Sequence, residues 1–158
     1  MTGRAEVVRL QQRLDATFRR VRSLPNDCDT ELLSDFARYL CVLVSGFLEQ
    51  AVIELLLEHV RNHSHHSIQQ HVERRLRQFT NANAQRLIDL MGSFEADWRT
   101  EMEAYLVDEH KDAVDGIVDL KNTISHGRFA GVTITRATDY YSRVRDVVNR
   151  IADLCAPI

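Results

Sequence analysis

A cation, an amide and an imidazole follow one another in Asp119-Leu120-Lys121-Asn122-Thr123-Ile124-Ser125-His126-Gly127. On a helix, residues four apart share a face, so Asn122 pairs with His126 and Lys121 with Ser125. If the helix stops at Gly127, His126 lies in its last turn. Unpaired carbonyls there carry partial negative charge and favour the imidazolium. Such a set suits one reaction class: RNA cleavage by attack of the ribose 2′-OH on the adjacent phosphate. Imidazole is the usual proton carrier near neutral pH, and Lys121 offers the positive charge that the phosphorane oxygens need. The chemistry calls for no metal and no cofactor. Spacing alone leaves a second account open, because Lys-x4-His arises by chance in many helices. In that account His126 caps carbonyls and Lys121 is solvated.

The elements that must position these groups are all helical. Val7, Leu10, Leu14 and Phe18 recur at helical spacing, predicting an amphipathic helix over about Thr2–Ser23 that breaks at Pro25-Asn26-Asp27. Asp29 or Thr30 caps a second helix running to about Arg61. Its middle, from Tyr39 to Leu48, is apolar on nearly every side, the mark of a buried central helix. Gly46 inside it suggests close approach of another helix. After a polar loop, Asn62–Ser67, come a short basic helix, Ile68–Phe79, and a turn, Asn81-Ala82-Asn83. Asn83 caps a helix through Met91 that Gly92 ends, and Ser93 caps another carrying Phe94, Trp98, Met102, Tyr105 and Leu106. A helix over Lys111–His126 leads into Gly127, which has the role of a C-terminal stop. After the loop Arg128–Ile134, Thr135 caps a last helix with Ala137, Tyr140 or Tyr141, Val144, Val148, Ile151 and Leu154 on its core face. No segment alternates long enough to make a sheet. The fold class is therefore all-α, an antiparallel bundle of four main helices plus short ones, in a single domain over residues 1–158.

Composition narrows the function. Of the 158 residues, 44% are hydrophobic and 27% charged, with only 6 Gly and 2 Pro, as expected of a globular chain with long helices. A formal net charge of -3 argues against a protein that wraps duplex nucleic acid, so any such contact is local. Cys28, Cys41 and Cys155 form no CxxC pair and suggest neither a disulfide framework nor a zinc finger. The N-terminus has no apolar leader region, and Glu49, Gln50 and Glu54 interrupt the longest apolar stretch, Tyr39–Leu57, so neither a signal peptide nor a membrane span is expected. The expected location is the cytoplasm.

Together these segments resemble the HEPN domain superfamily, most closely its RiboL-PSP-HEPN subgroup. Lys121-Asn122-Thr123-Ile124-Ser125-His126-Gly127 is similar to the frequent family form Arg-Asn-x-Ile-Ala-His-Gly. The likeness extends to Tyr39–Gln50, to Phe79–Asn83 with Phe94 and Trp98, and to Gly131–Arg136 with Tyr140-Tyr141, covering residues 30–155. The resemblance implies an all-α domain that dimerises with its paired motifs lining a cleft at the subunit interface. It implies a metal-independent endoribonuclease of a toxin–antitoxin, antiviral-defence or RNA-processing system, with an antitoxin or operon-encoded protein as a further partner. It equally admits an inactive module that binds a protein or RNA. His126 takes the acid/base role, Asn122 holds the site by hydrogen bonds and Lys121 stabilises phosphate charge. Lys121 departs from the family's Arg, giving up a planar fork for a mobile point charge.

Other residues have two readings each. Arg128, beside the motif, is a phosphate contact or a solvated loop residue. Glu49, on the buried helix, needs a partner; it orients Lys121 or His126, or it pairs with a structural cation such as Arg38. Ser125 supports the motif from the neighbouring face. His59 and His63 stand at metal-ligand spacing within a His-rich tract that is otherwise a polar loop. Arg74, Arg75, Arg77 and Arg86 are an RNA-backbone patch or a solvated face. Phe94 and Trp98 read as core rather than a base-stacking platform. One motif supplies few groups, so a two-fold homodimer that brings two His126 residues into one cleft would double them.

Overall fold

The computed structural model describes residues 2–156, and every regular element among them is a helix. They are α1 (Gly3–Arg22), α2 (Thr30–His63), α3 (His66–Leu76), α4 (Ala84–Phe94), α5 (Ala96–Tyr105), α6 (Asp108–Ser125) and α7 (Ile134–Leu154).

Four of these, α1, α2, α6 and α7, make the bundle. Gly3 packs on Glu54 and Glu58, and Leu14 faces Tyr39 and Phe47, so α1 runs antiparallel to α2. Arg4 donates to the Ala152 carbonyl and the Tyr141 hydroxyl donates to Asp15 at 2.6 Å, so α7 runs antiparallel to α1. The pairs Glu109–Arg143 and Gly116–Tyr140 set α6 antiparallel to α7. At the centre lies α2, with Leu40, Cys41, Val44, Leu48, Ala51, Val52 and Leu56 wholly buried. By length and composition α2 could cross a membrane, but 67% of its apolar window is buried inside the bundle. Burial of this helix is the main hydrophobic gain of the fold.

Side-chain caps fix several helix starts. Thr2 accepts from Ala5, Asp29 from Glu31 and Asn83 from Arg86, each at the expected position. Elsewhere the boundaries move. The last helix is capped by Thr133, which accepts from the Arg136 N–H, and not by Thr135. Tyr141, not Tyr140, is its buried tyrosine, stacked on Phe18 at 4.7 Å. The expected loop at Asn62–Ser67 is largely helical, because the His63 ring on the His59 carbonyl and Ser64 on the Val60 carbonyl carry α2 to His63. Gly92 does not end α4. It lies inside the helix, where a Cβ would meet the Arg99 guanidinium. Ser93 caps nothing; its hydroxyl donates back to Leu90, and α5 begins after Glu95. Gly46 marks no helix crossing either: no neighbouring atom lies within 4 Å of where its Cβ would be, and it faces an open groove between α1 and α2. Phe94 and Trp98 stack across the α4–α5 break, and Trp98 is buried in the core.

Candidate active site

Helix α6 carries the motif and starts earlier than its sequence suggests, at Asp108, whose φ of 49° turns the chain out of α5. Its inner face, Ala113, Val114, Ile117 and Val118, is buried against the bundle. That burial fixes the helix, and the helix fixes the direction of every residue that follows.

The end of α6 is set by backbone alone. His126 is the C-cap, and its N–H donates to the Asn122 carbonyl at 3.0 Å. Gly127 takes φ 71°, and its N–H donates to Ile124 at 3.0 Å while that of Arg128 donates to Thr123 at 3.0 Å. This pair of bonds is the Schellman motif, and it asks for a residue that adopts positive φ without a Cβ penalty. The glycine therefore makes the turn, and the turn places the His126 ring at the bundle's edge. His126, Ser125 and Arg128 are exposed and Asn122 is half-buried. Among the described residues none of their four side chains has a hydrogen-bond or ion-pair partner, so each is available to a ligand.

Lys121 is different. It is half-buried, and its Nζ donates to Asn81 Oδ1 at 2.9 Å. Asn81 sits in the turn before α4 with φ 55°, a left-handed conformation that Asn adopts more readily than most residues. Its backbone N–H donates to Glu49 Oε1 at 3.0 Å. Glu49 thus reaches Lys121 through Asn81 rather than directly, and it does not pair with Arg38, which is bound to Asp35 and Ser34. Asp115, one helix face away, accepts from the Ala84 N–H at 2.8 Å and from Lys111 at 2.9 Å. Residues 81–84 are consequently tied to α2 once and to α6 twice.

Of the expected site residues, Lys121 and Glu49 are brought together through Asn81, and Asn122 is joined to His126 through the backbone. No hydrogen bond joins Lys121 to His126, and Arg128 meets the motif only through its N–H. Asn81 was not singled out by sequence, since 40 residues separate it from Lys121. The remaining cation of the region, Arg38, lies over the Phe129 ring at 5.6 Å, and Phe129 is 83% exposed.

The histidine tract makes no such cluster. His59 and His63 stack at 4.3 Å, with His59 edge-on to Trp98 at 4.8 Å. Among the described residues no group of three or more metal-ligating side chains forms. Burial, and next to it His63, holds the His59 imidazole below its ordinary value.

The helical order, the Schellman end carrying His126 and the turn holding Lys121 agree with a comparison against family models. The RiboL-PSP-HEPN model matches residues 10–156. The chain belongs to the RiboL-PSP-HEPN family. Comparisons with curated proteins and with solved structures find no significant match. As a HEPN domain it holds its motif as described, at the end of a late helix against the buried α2, with Lys121 where the frequent family form has arginine.

Proposed function

We propose that this HEPN-family protein is a metal-independent endoribonuclease that cleaves RNA by 2′-OH attack on the adjacent phosphate. One observation carries the reading: an exposed imidazole with no partner of its own stands at a rigid helix end, on the same segment as an ammonium held by a side-chain acceptor. His126 moves the proton at the 2′-oxygen or the leaving 5′-oxygen. Lys121 spends one N–H on Asn81 and keeps two for phosphate oxygens. Asn122 and Arg128 contribute hydrogen bonds to the sugar-phosphate backbone. The pinning by Asn81 recovers part of the positioning that arginine's fork would supply.

A single motif contains one imidazole, whereas the reaction uses both a base and an acid. A two-fold dimer supplies the second. Phe129 supports this arrangement, because a ring 83% exposed beside the motif is an apolar contact waiting for a partner surface. A place in a toxin–antitoxin or defence system, with an operon-encoded partner, follows from the family.

The test is digestion of a mixed RNA pool in EDTA. Products ending in 2′,3′-cyclic phosphate, abolished in His126→Ala, are the expected result. Cleavage that requires added metal, or that persists in His126→Ala, overturns the mechanism. Light scattering reports the mass, and a monomer at micromolar concentration overturns the dimer.

A further inference from the structure

Beyond the motif, the largest concave surface lies between α3 and α4, a groove of about 720 Å³. Its floor is apolar and aromatic, built from Val72, Phe79, Leu90 and Phe94, and its rim carries Arg75 and Arg86 with no acidic residue in the lining. Arg86 lies over the Phe79 ring at 5.7 Å. The neighbouring acids are already engaged: Glu54 and Glu73 bind Arg77, and Asp89 binds Arg99 at 3.0 Å. Among the described residues Arg74, Arg75 and Arg86 have no carboxylate partner. Three unneutralised cations on one face are conspicuous in a chain of net charge -3. By contrast, the groove of about 370 Å³ on the far side of the 81–84 turn is lined by Asp115 and Asp119 with only Lys111 against them, and it repels phosphate.

We infer that the α3–α4 groove binds a stretch of single-stranded RNA flanking the cut; the inference rests on the ribonuclease reading above. An aromatic floor with a cationic rim matches the alternation of base and phosphate in a single strand, which stacks on rings and tracks positive charge. The groove also points at the motif. Phe79 is two residues from Asn81, the residue that holds Lys121, so a strand stacked on Phe79 runs directly to the candidate scissile position. A duplex is disfavoured, because its bases are not free to stack and the overall charge offers little to its two phosphate rows.

The experiment measures fluorescence anisotropy of a labelled, fully 2′-O-methylated single-stranded RNA, which lacks the attacking hydroxyl and cannot be cut. It is titrated with the full chain between 50 and 200 mM salt. The double variant Arg75→Gln/Arg86→Gln is expected to lower the slope of log affinity against log salt by about 1.4, two contacts at roughly 0.7 each. Phe79→Leu is expected to weaken binding roughly tenfold or more by removing the stacking ring. Phe79 also packs against the core, so the exposed arginine pair decides the matter if that variant melts early. A control, Arg19→Gln/Arg20→Gln on α1, should leave the slope unchanged. Binding and slope unaltered by the groove arginines overturn the inference. So does wild-type protein that ignores the RNA but binds an acidic peptide through them. Loss of the cleavage reading shows itself separately, as RNA binding that depends on the groove in a protein that yields no His126-dependent products.

Discussion

The contact that most sharply separates a working Lys121 from a structural one is its bond to Asn81. Replacing Asn81 with glycine removes the carboxamide while keeping the left-handed backbone and the N–H that binds Glu49. The loss is therefore confined to one hydrogen bond of 2.9 Å between a charged donor and a neutral acceptor. Such bonds contribute about 1.5–3 kcal/mol when well buried, and both partners here are only half-buried. A cost of about 1 kcal/mol follows after that discount, a fall in Tm of about 2–4 °C for a chain of this size. The effect on turnover should be larger. Removing a preorganised donor outright costs about 10²–10³ in kcat; Asn81→Gly frees the ammonium without deleting it, so about tenfold in kcat with little change in KM is expected. Asn81→Asp supplies the opposite test, because it keeps the acceptor and the tolerated φ but puts a carboxylate on the ammonium. It should hold or raise Tm while lowering kcat, since the charge is then drawn away from phosphate. The assay pairs RNA cleavage kinetics with NMR of the lysine side chains, which is tractable because Lys111 and Lys121 are the only lysines in the chain. Lys121 signals should be restricted in the wild type and sharpen in Asn81→Gly. A drop in Tm with kcat unchanged, or a Lys121 as mobile in the wild type as in the variant, refutes the reasoning and leaves the bond as a bolt between α6 and the 81–84 turn.

Three further outcomes follow from single residues. Burial keeps the His59 imidazole from protonating in the folded state, whereas the unfolded chain accepts a proton near the ordinary value of 6.5. Its contribution to stability is thus complete above that pH and is lost as pH falls below it; thermal melts should show that decline, and His59→Phe should flatten it. Gly3→Ala drives a Cβ into the Glu54 carbonyl oxygen and against Glu58, so urea denaturation should show a loss of about 1–3 kcal/mol. Ser45 is 1% exposed with no partner for its hydroxyl, so Ser45→Ala should stabilise by about 1 kcal/mol, read as a rise in Tm.

The parts of the fold legible in sequence are those where one residue type answers one local need. Thr2, Asp29 and Asn83 cap because a short oxygen-bearing side chain reaches the free N–H groups of the first turn. Gly127 stops α6 because the Schellman turn needs positive φ. The buried stripe of α2 follows from its continuous apolar run. What was not legible depends on distant neighbours. Gly92 resembles a stop as much as Gly127 does, and only the Arg99 side chain arriving from α5 explains it. Two threonines, Thr133 and Thr135, are equally good caps in isolation, and the path of the loop selects the first. Asn81 stands in a turn where asparagine is unremarkable, and nothing local announces that its carboxamide faces a lysine on α6. Glu49 was expected to seek a cation; it takes a backbone N–H instead, because the 81–84 turn lies between it and Lys121.

The two reactive groups of the motif are held by different kinds of structure, and the difference bears on how the site tolerates change. His126 is placed by backbone geometry, through three N–H bonds around Gly127 that no side chain supplies. Substitutions nearby leave that placement intact as long as the glycine remains. Lys121 is placed by a relay of side chain and backbone, from Glu49 to the Asn81 N–H and from the Asn81 carboxamide to the ammonium. Each link there can be lost by a single substitution. An arginine at 121 would bring its own planar fork to phosphate and have less need of the relay. A lysine is mobile on four carbons and needs an external anchor to act at one place. The Asn81 turn is what makes lysine workable at this position, and it ties the site's cation to the same segment that opens onto the α3–α4 groove.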